Sequence, residues 1–335
     1  MGLLTSGYSA DSDSRDPPAS RRMEDNTLYI AIKSLMSQAQ VLCTPSIRLV
    51  QAGVLLAVFE YAHGHPQQAF MTIGTCARMA YAARLRSIPS LTSTASTTDW
   101  VAEEEEVNVW WGICVCERTF LCELPIVHQP LGSMVPTGEE RLPLESSILD
   151  QGNPAAALKS SPVHALVTPQ VGGFARAAQA AWLLDGVLHA LSLTDPDQQQ
   201  AHLADCDRKL QSLLAIVMQQ NEGKYGEFCP AIALILRSLF LLHGHLLDQQ
   251  PQYAPGASIS TNSSLAALDT VTKMVIDICT THEHVPISQI DHLPPSCLYI
   301  IRAALKHISE YHSATPDPRL HSSLKQFEAR WGTSS

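Results

Sequence analysis

Three groups of side chains have the types and spacing that could do chemistry. The first is a set of His-x-His pairs, His63/His65, His243/His245 and His282/His284. On a strand such a pair puts both rings on one face and can chelate a cation; on a helix, residues two apart diverge. All three pairs fall on helical patterns or at their ends. His282-Glu283-His284 is the best metal candidate, and no third close ligand stands beside it in the chain. The second group is the cysteines: Cys43, Cys76, Cys114, Cys116, Cys122, Cys206, Cys229, Cys279 and Cys297. None forms the C-x-x-C pair that structural zinc favours, and Cys114 and Cys116 point to opposite sides of a helix. They read as reduced, buried, small hydrophobes. The third is the acidic run Glu103 to Glu106, which enters the stretch VNVWWGICVCERTF. Four successive helical positions spread around roughly 300° of a cylinder and cannot converge on one ion.

None of these groups has an established catalytic context. There is no G-x-S-x-G elbow, no G-x-G-x-x-G, no Walker A loop and no H-E-x-x-H. The expectation is therefore no catalytic residue, no metal ligand and no cofactor. If a pocket existed, His282, Glu283, His284 and Cys279 would be its least unfavourable members. Charge excludes a further class. With 22 basic residues against 32 acidic ones, a net charge of −10 and no basic run, the chain lacks the clustered cations that phosphate binding needs. No direct nucleic-acid binding is expected from this chain alone.

The elements that must position these residues are helical throughout. Apolar residues make up 45% of the 335, enough for a sizeable core. Residues 1–24, rich in Ser, Asp, Arg and Pro, read as a disordered leader, and residues 25–335 as one all-helical domain. Gly2 and Ser6 match only the outline of a myristoylation site, with no second anchor, and no secretory segment opens the chain. Leu28, Ala31, Ile32, Leu35 and Ala39 recur at helical spacing. Pro45-Ser46 opens a second helix that His63-Gly64-His65 closes, with Gly64 supplying a left-handed cap. Pro66 starts a third helix running to about Arg86, so the two form an antiparallel hairpin. In that third helix the small residues Gly74 and Ala77 allow a neighbouring backbone to come close. Residues 87–99 read as a loop.

The acidic run then falls in the first turns of a fourth helix. Asp99 is its expected cap, and the acids are expected as a solvated match to the helix dipole. Val107, Trp110, Trp111, Cys114, Val115 and Leu121 give it an apolar face. Arg118 lies near that stripe and needs a carboxylate partner or an aromatic face, with Glu117, Glu123 and the carboxylates of neighbouring helices as candidates. Residues 125–172 carry many prolines and read as a long connection lying over the helical body. Helices resume at Phe174. TDPDQQQ (194–200) starts another, and the apolar run from Pro230, broken by Arg237, reads as a buried helix rather than a membrane span. Residues 249–264 read as a linker. LAALDTVTKMVIDICT, SCLYIIRAALKHISEY (296–311) and LHSSLKQFEARW (320–331) complete the set. The fold class is all-α: antiparallel helical hairpins with one long Pro-rich loop.

Several of these stretches resemble the fungal-specific transcription factor domain, the middle homology region of fungal binuclear zinc-cluster regulators. The paired helices carry Val50-Gln51-Ala52, Leu55-Leu56, Phe59-Glu60, Gly64 and Ile73-Gly74-Thr75-Cys76-Ala77-Arg78. EEEEVNVWWGICVCERTF is similar to the family's Trp-Trp helix, with Trp110, Trp111 and Arg118 in the matching places. Glu117 replaces the common Asp, and Val107 or Asn108 stands near the usual basic position. LCELPIVHQPLGSMVP lacks the Arg of the family's loop, and FARAAQAAWLLDGVL is similar to a later family helix. The likeness covers roughly residues 28–310.

The family's DNA reader uses six paired cysteines. Here no cysteine precedes Cys43, so that module is not expected in this chain. The resemblance implies a regulatory domain in the nucleus, or the cytoplasm, controlling a fungal metabolic or secondary-metabolite gene set. It would act through another transcription regulator, a second copy of itself or a small-molecule effector, with no membrane partner. Two alternatives remain at this point: a small-molecule-binding or processing enzyme on a helical scaffold, and a degenerate relative that sequesters a partner.

Overall fold

The structure is a computed structural model that describes residues 19–85, 100–125, 129–145, 148, 161–169, 171–221, 226–249, 258–283, 293–312 and 317–331. Its elements are α1 (Ala19–Leu42), α2 (Ile47–Ala62), α3 (Pro66–Ala82), α4 (Trp100–Leu121), α5 (Gly173–Ser192), α6 (Pro196–Gln220), α7 (Cys229–Asp248), α8 (Ser258–Glu283), α9 (Ser296–Tyr311) and α10 (Pro318–Trp331). Among the described residues there is no strand, and a single isolated bridge pairs Arg141 with Pro162. The expected all-α class holds.

Local chemistry explains most boundaries. Ser46 caps α2 by accepting from the Leu49 N–H, and Asp195 caps α6 by accepting from Asp197 and Gln198. The α2–α3 corner closes as expected. Gly64 adopts φ +80°, and the N–H groups of Gly64 and His65 reach back to Tyr61 and Glu60. α3 ends at Ala82, before Arg86, because Arg84 takes the same left-handed geometry at φ +55° and turns the chain out.

Two boundaries differ from the sequence reading. α1 begins at Ala19, inside the stretch read as a leader, because Ala, Arg, Met and Glu there are good helix formers once Pro17-Pro18 is passed. α8 begins at Ser258, inside the stretch read as a linker. Its Ser/Thr-rich start looks like a breaker by composition, yet such residues are favoured where helices begin. The 87–99 loop and the Asp99 cap lie outside the described residues.

The helices pack in two linked groups. α2, α3 and α4 form the first. At their closest approach Gly53 meets Cys76, where an added Cβ would lie 2.5 Å from the Cys76 sulfur. The small stripe around Gly74 admits the loop backbone at Gly132, whose added Cβ would lie 3.1 Å from the Gly74 carbonyl oxygen. α4 is the hinge piece between groups, with neighbours α2 and α3 on one side and α5 on the other. The described parts of the long connection lie over the body as expected. Leu142, Val163 and Val171 pack against Val107, Trp111 and Cys114 of α4 and Ala175 and Ala178 of α5.

α7 is the centre of the second group. It is long and apolar enough to cross a bilayer, but α5, α6, α8 and α9 pack around it and Ile232, Ile235, Leu236, Leu239 and Leu242 are core. α9 is tied back to the first group: the Tyr299 hydroxyl donates to the Tyr61 carbonyl at 2.9 Å, and the two rings stack at 4.3 Å.

Candidate functional site

Polar groups inside an apolar body are the places to look for function, because each must be satisfied or explained. The first group holds three that are satisfied. Arg118, fully buried on α4, donates from Nε to Asp185 Oδ1 of α5 at 3.0 Å and from Nη2 to Asp185 Oδ2 at 3.0 Å. Its Nη1 reaches Glu117 Oε2 at 3.1 Å and the Ser133 hydroxyl, and its Nη2 the Met134 carbonyl at 3.1 Å. Glu117 in turn accepts from the N–H of Gly132 at 2.6 Å and of Ser133 at 3.1 Å. Burial works against the guanidinium charge, and the neighbouring acidic groups bring its pKa back above the ordinary value. Burial raises Asp185, with Arg118 pulling the other way. Of the partners expected for Arg118, Glu117 is present and Asp185 supplies the acid from another helix. Glu123 is elsewhere: it binds Arg237 of α7 through two bonds of 2.8 and 3.0 Å.

The acidic run corrects a second expectation. It is not a solvated helix start. Glu104 is buried, pairs with Arg141 of the long connection and accepts from the Leu144 N–H at 2.7 Å. Trp111 Nε1 donates to the Arg141 carbonyl at 2.9 Å, so this arginine is held from both ends. Glu105 bonds Gln51 and Arg48 of α2. Glu103, Glu105 and Glu106 stay half-buried, so Glu104 is the one acid of the run that goes fully inside. On α2, Glu60 is likewise buried. It accepts from Tyr29 at 2.9 Å and Thr72 at 2.6 Å and pairs with Lys33, and burial together with Glu60 pushes the Tyr29 phenol up to about 12.

The second group offers an open volume and two clusters. α7, α8 and α9 enclose one end of a cavity of about 420 Å³, lined by Arg237, Phe240 and His245 of α7, Leu268 of α8, and Lys306, His307 and Tyr311 of α9. That size suits a small molecule, and the wall mixes apolar groups with both basic and acidic ones, Asp248 and Glu310 among the latter. At its rim Asp269 Oδ1 lies 2.8 Å from His307 Nε2 and 2.7 Å from His312 Nε2. Burial acts against the Asp269 carboxylate, but these two rings hold it below the usual range.

At the other end of the same three helices lie Cys229, His282 and Cys297, whose ligand atoms are all within 4.8 Å of one another. The Cys297 thiol beside it lowers Cys229 to about 5, burial works in the opposite sense, and His282 adds to the lowering. Cys297 is pushed well up in return.

The sequence-named candidates divide accordingly. His282 is brought to a cluster; Glu283 is exposed at the end of α8 and outside it, and His284 lies outside the described residues. Cys279 is buried, and desolvation pushes its thiol up to about 11. The other His-x-His pairs do not chelate: His63 donates to the Phe59 carbonyl, His243 sits 3.3 Å from Asp207, and His245 lines the cavity. The cysteines are free. Cys43 is exposed; Cys116, Cys122 and Cys229 are half-buried; the other five are buried, as expected for small hydrophobes. Sequence reasoning missed Cys229 and Cys297 as partners of His282, since ligands far apart in the chain leave no spacing signal. The available hint was position, each cysteine standing in the first turn of its helix, at Cys229-Pro230 and Ser296-Cys297.

Both helical groups carry open volume: besides the cavity at the α7–α9 end, a cleft of about 680 Å³ lies between α2 and α4, lined by Gln51, Leu55, Val101, Glu105 and Val109. Residues 1–124, which hold α1 to α4, match the family of the fungal specific transcription factor domain. Over this stretch the resemblance drawn from the Trp-Trp helix and the paired helices holds. The match ends at residue 124, so α5 to α10 lie beyond it. Among curated proteins, the chain is 32% identical over 102 residues to transcription factor AN6788 of Emericella nidulans, covering 30% of this chain and 16% of that protein. It is 30% identical over 90 residues to transcription factor BOA15 of Botryotinia fuckeliana, covering 27% of this chain and 50% of that one. The chain thus spans half or less of the length of these relatives. No solved structure matches it. The matches support a transcription regulator.

Proposed function

We propose that this chain is a regulatory domain of a fungal zinc-cluster type transcription regulator, working in the nucleus on a metabolic or secondary-metabolite gene set. The observation that carries this reading is the family match over α1 to α4, the stretch with the Trp-Trp helix and the Arg118 network. The domain acts by engaging a partner regulator, or a second copy of itself, and by taking a small effector into the cavity at the α7–α9 end. It does not grip DNA itself and is not an enzyme. Two features support the first of these points. The net charge is −10. Arg118 and Arg176 are fully buried, and Arg141 and Arg237 are committed to Glu104 and Glu123, so these arginines are not offered to phosphates.

The test is a pull-down of the tagged chain from fungal nuclear extract, with and without nuclease, read by mass spectrometry. The expected result is enrichment of a transcription regulator that survives nuclease. Recovery of chromatin proteins only without nuclease, or tight binding of the purified chain to oligonucleotide in moderate salt, would overturn the reading.

A further inference from the structure

The cluster at the far end of α7, α8 and α9 brings two thiols and an imidazole from three helices together, and one nitrogen of that imidazole has no hydrogen-bond partner. His282 is 6% exposed, and its Nδ1 has no partner. The hydroxyl of Ser296, next to Cys297, is also buried and unpartnered. A buried donor or acceptor left unmade is costly and calls for an explanation.

The three chemistry-bearing side chains come from three helices. Cys229 is the first residue of α7, Cys297 the second of α9, and His282 lies in the last turn of α8. Their ligand atoms lie within 4.8 Å of one another. Tetrahedral zinc with bonds of about 2.3 Å to sulfur and about 2.0 Å to nitrogen sets ligand atoms roughly 3.5–3.8 Å apart, so side-chain adjustment alone closes the set. Both cysteines stand at helix N-termini, which favour anionic ligands. Phe327 of α10 covers the His282 ring edge-on at 5.9 Å, while Cys229 is only half-buried and leaves a way in from solvent.

We propose that Cys229, His282 and Cys297 form a three-ligand site for a soft or borderline transition-metal ion, zinc(II) above others, with the fourth position open to water or an exogenous ligand. Two sulfurs and an imidazole select zinc(II) or copper(I) over magnesium and calcium. Binding expels the remaining thiol protons to solvent and leaves the ion in its original oxidation state. The ion joins the starts of α7 and α9 to the end of α8. Those helices line the cavity at their opposite ends, through Arg237, Leu268 and His307, so occupancy fixes the spacing of the cavity walls.

The experiment uses the full chain, purified under reducing conditions and stripped with chelator. Zinc is added back and measured by mass spectrometry of the native protein, and cobalt(II) is used as the spectroscopic probe. The expected result is one ion per chain, a thiolate-to-cobalt charge-transfer band that zinc abolishes, and a melting midpoint a few degrees higher at about a hundredfold excess over Kd. C229S and H282Q should each lose the band and the shift, while C43S, altered at an exposed cysteine, keeps both. Half-buried Cys229 is the variant least able to disturb folding, and its metal-free melt checks that. No cobalt band, binding that is weak and exceeds one ion per chain, or an unchanged band in folded C229S would overturn the proposal. A band with copper(I) displacing zinc at equal concentration would reassign the ion and sink the zinc preference.

Discussion

The Arg118 centre and the Cys229–His282–Cys297 centre are both buried, both polar and both built from more than one helix, yet they differ in closure. Around Arg118 every donor of the guanidinium has an acceptor, supplied by Asp185, Glu117, Ser133 and the Met134 carbonyl. Around His282 a ring nitrogen has none. A closed network fixes one arrangement of α4, α5 and the connecting loop, and removing any member exposes the others as unpaired charge. An open cluster holds little by itself and has capacity for something else. The difference separates a buried ion-pair network that fixes the packing of helices from a cluster in which a ring nitrogen is left without a partner.

The sharpest way to break that contrast is Arg118→Met. It keeps volume but leaves Asp185 and Glu117 buried without their cation, which costs on the order of 3–5 kcal/mol. Urea denaturation should show this loss, and Asp185→Asn in the same chain should recover part of it, because the two changes act on one network. A loss under about 1 kcal/mol would mean that the network is no more closed than the cysteine cluster.

Next in size is a comparison within the acidic run. Glu104→Gln removes the buried charge that faces half-buried Arg141 and weakens its hold on the Leu144 N–H, so a loss of about 2–3 kcal/mol is expected. Glu103→Gln, one residue earlier and only partly covered, should stay within about 0.5 kcal/mol. Equal effects at the two positions would restore the solvated reading of the run.

That pair also marks how far the sequence carries. Helix existence and class were legible because apolar residues at spacings of three and four leave only one face to bury, and Ser46, Gly64, Asp195 and the Pro66 start fix ends by local chemistry. The Trp-Trp helix was legible as a core element and as the carrier of a family likeness. What was hidden is which acids go inside. Glu104 and Glu106 look alike in a run of four, and the choice belongs to Arg141, which arrives from a loop far along the chain. The same holds for the cysteine cluster. His282 was visible as a titratable group near a helix end, but Cys229 and Cys297 reach it through the packing of α7 and α9 against α8. Spacing in the chain carries no trace of that meeting, and His284, the partner that spacing did suggest, is not in the cluster.

A smaller effect tests the open centre from its own side. With chelator present, Cys229→Ala should cost less than about 1 kcal/mol, since a half-buried thiol in an empty cluster contributes little packing. The same substitution should abolish all stabilisation by zinc. A metal-free cost near that of Arg118→Met would show the sulfur cluster to be a closed structural network after all.

The smallest expected effect lies at the cavity rim, where Asp269 joins His307 and His312. Its carboxylate is held below the ordinary value of 3.8, burial opposing and the two imidazole contacts prevailing. A carboxyl group with a depressed folded pKa contributes stability that is present above the unfolded value and is lost as pH falls through the folded one. The window is therefore below about pH 4. Asp269→Asn should flatten this part of the acid branch of the melting curve while leaving its slope between pH 5 and 6 to other groups. Because the Asp269 side chain is 42% exposed, solvent screens the interaction and the difference should be a few tenths of a kcal/mol. Melting midpoints of the two proteins across pH 3 to 6 measure it. Parallel acid branches would mean that the two rings do not hold Asp269 in solution, and the rim of the cavity would then have one fixed charge fewer to offer an effector.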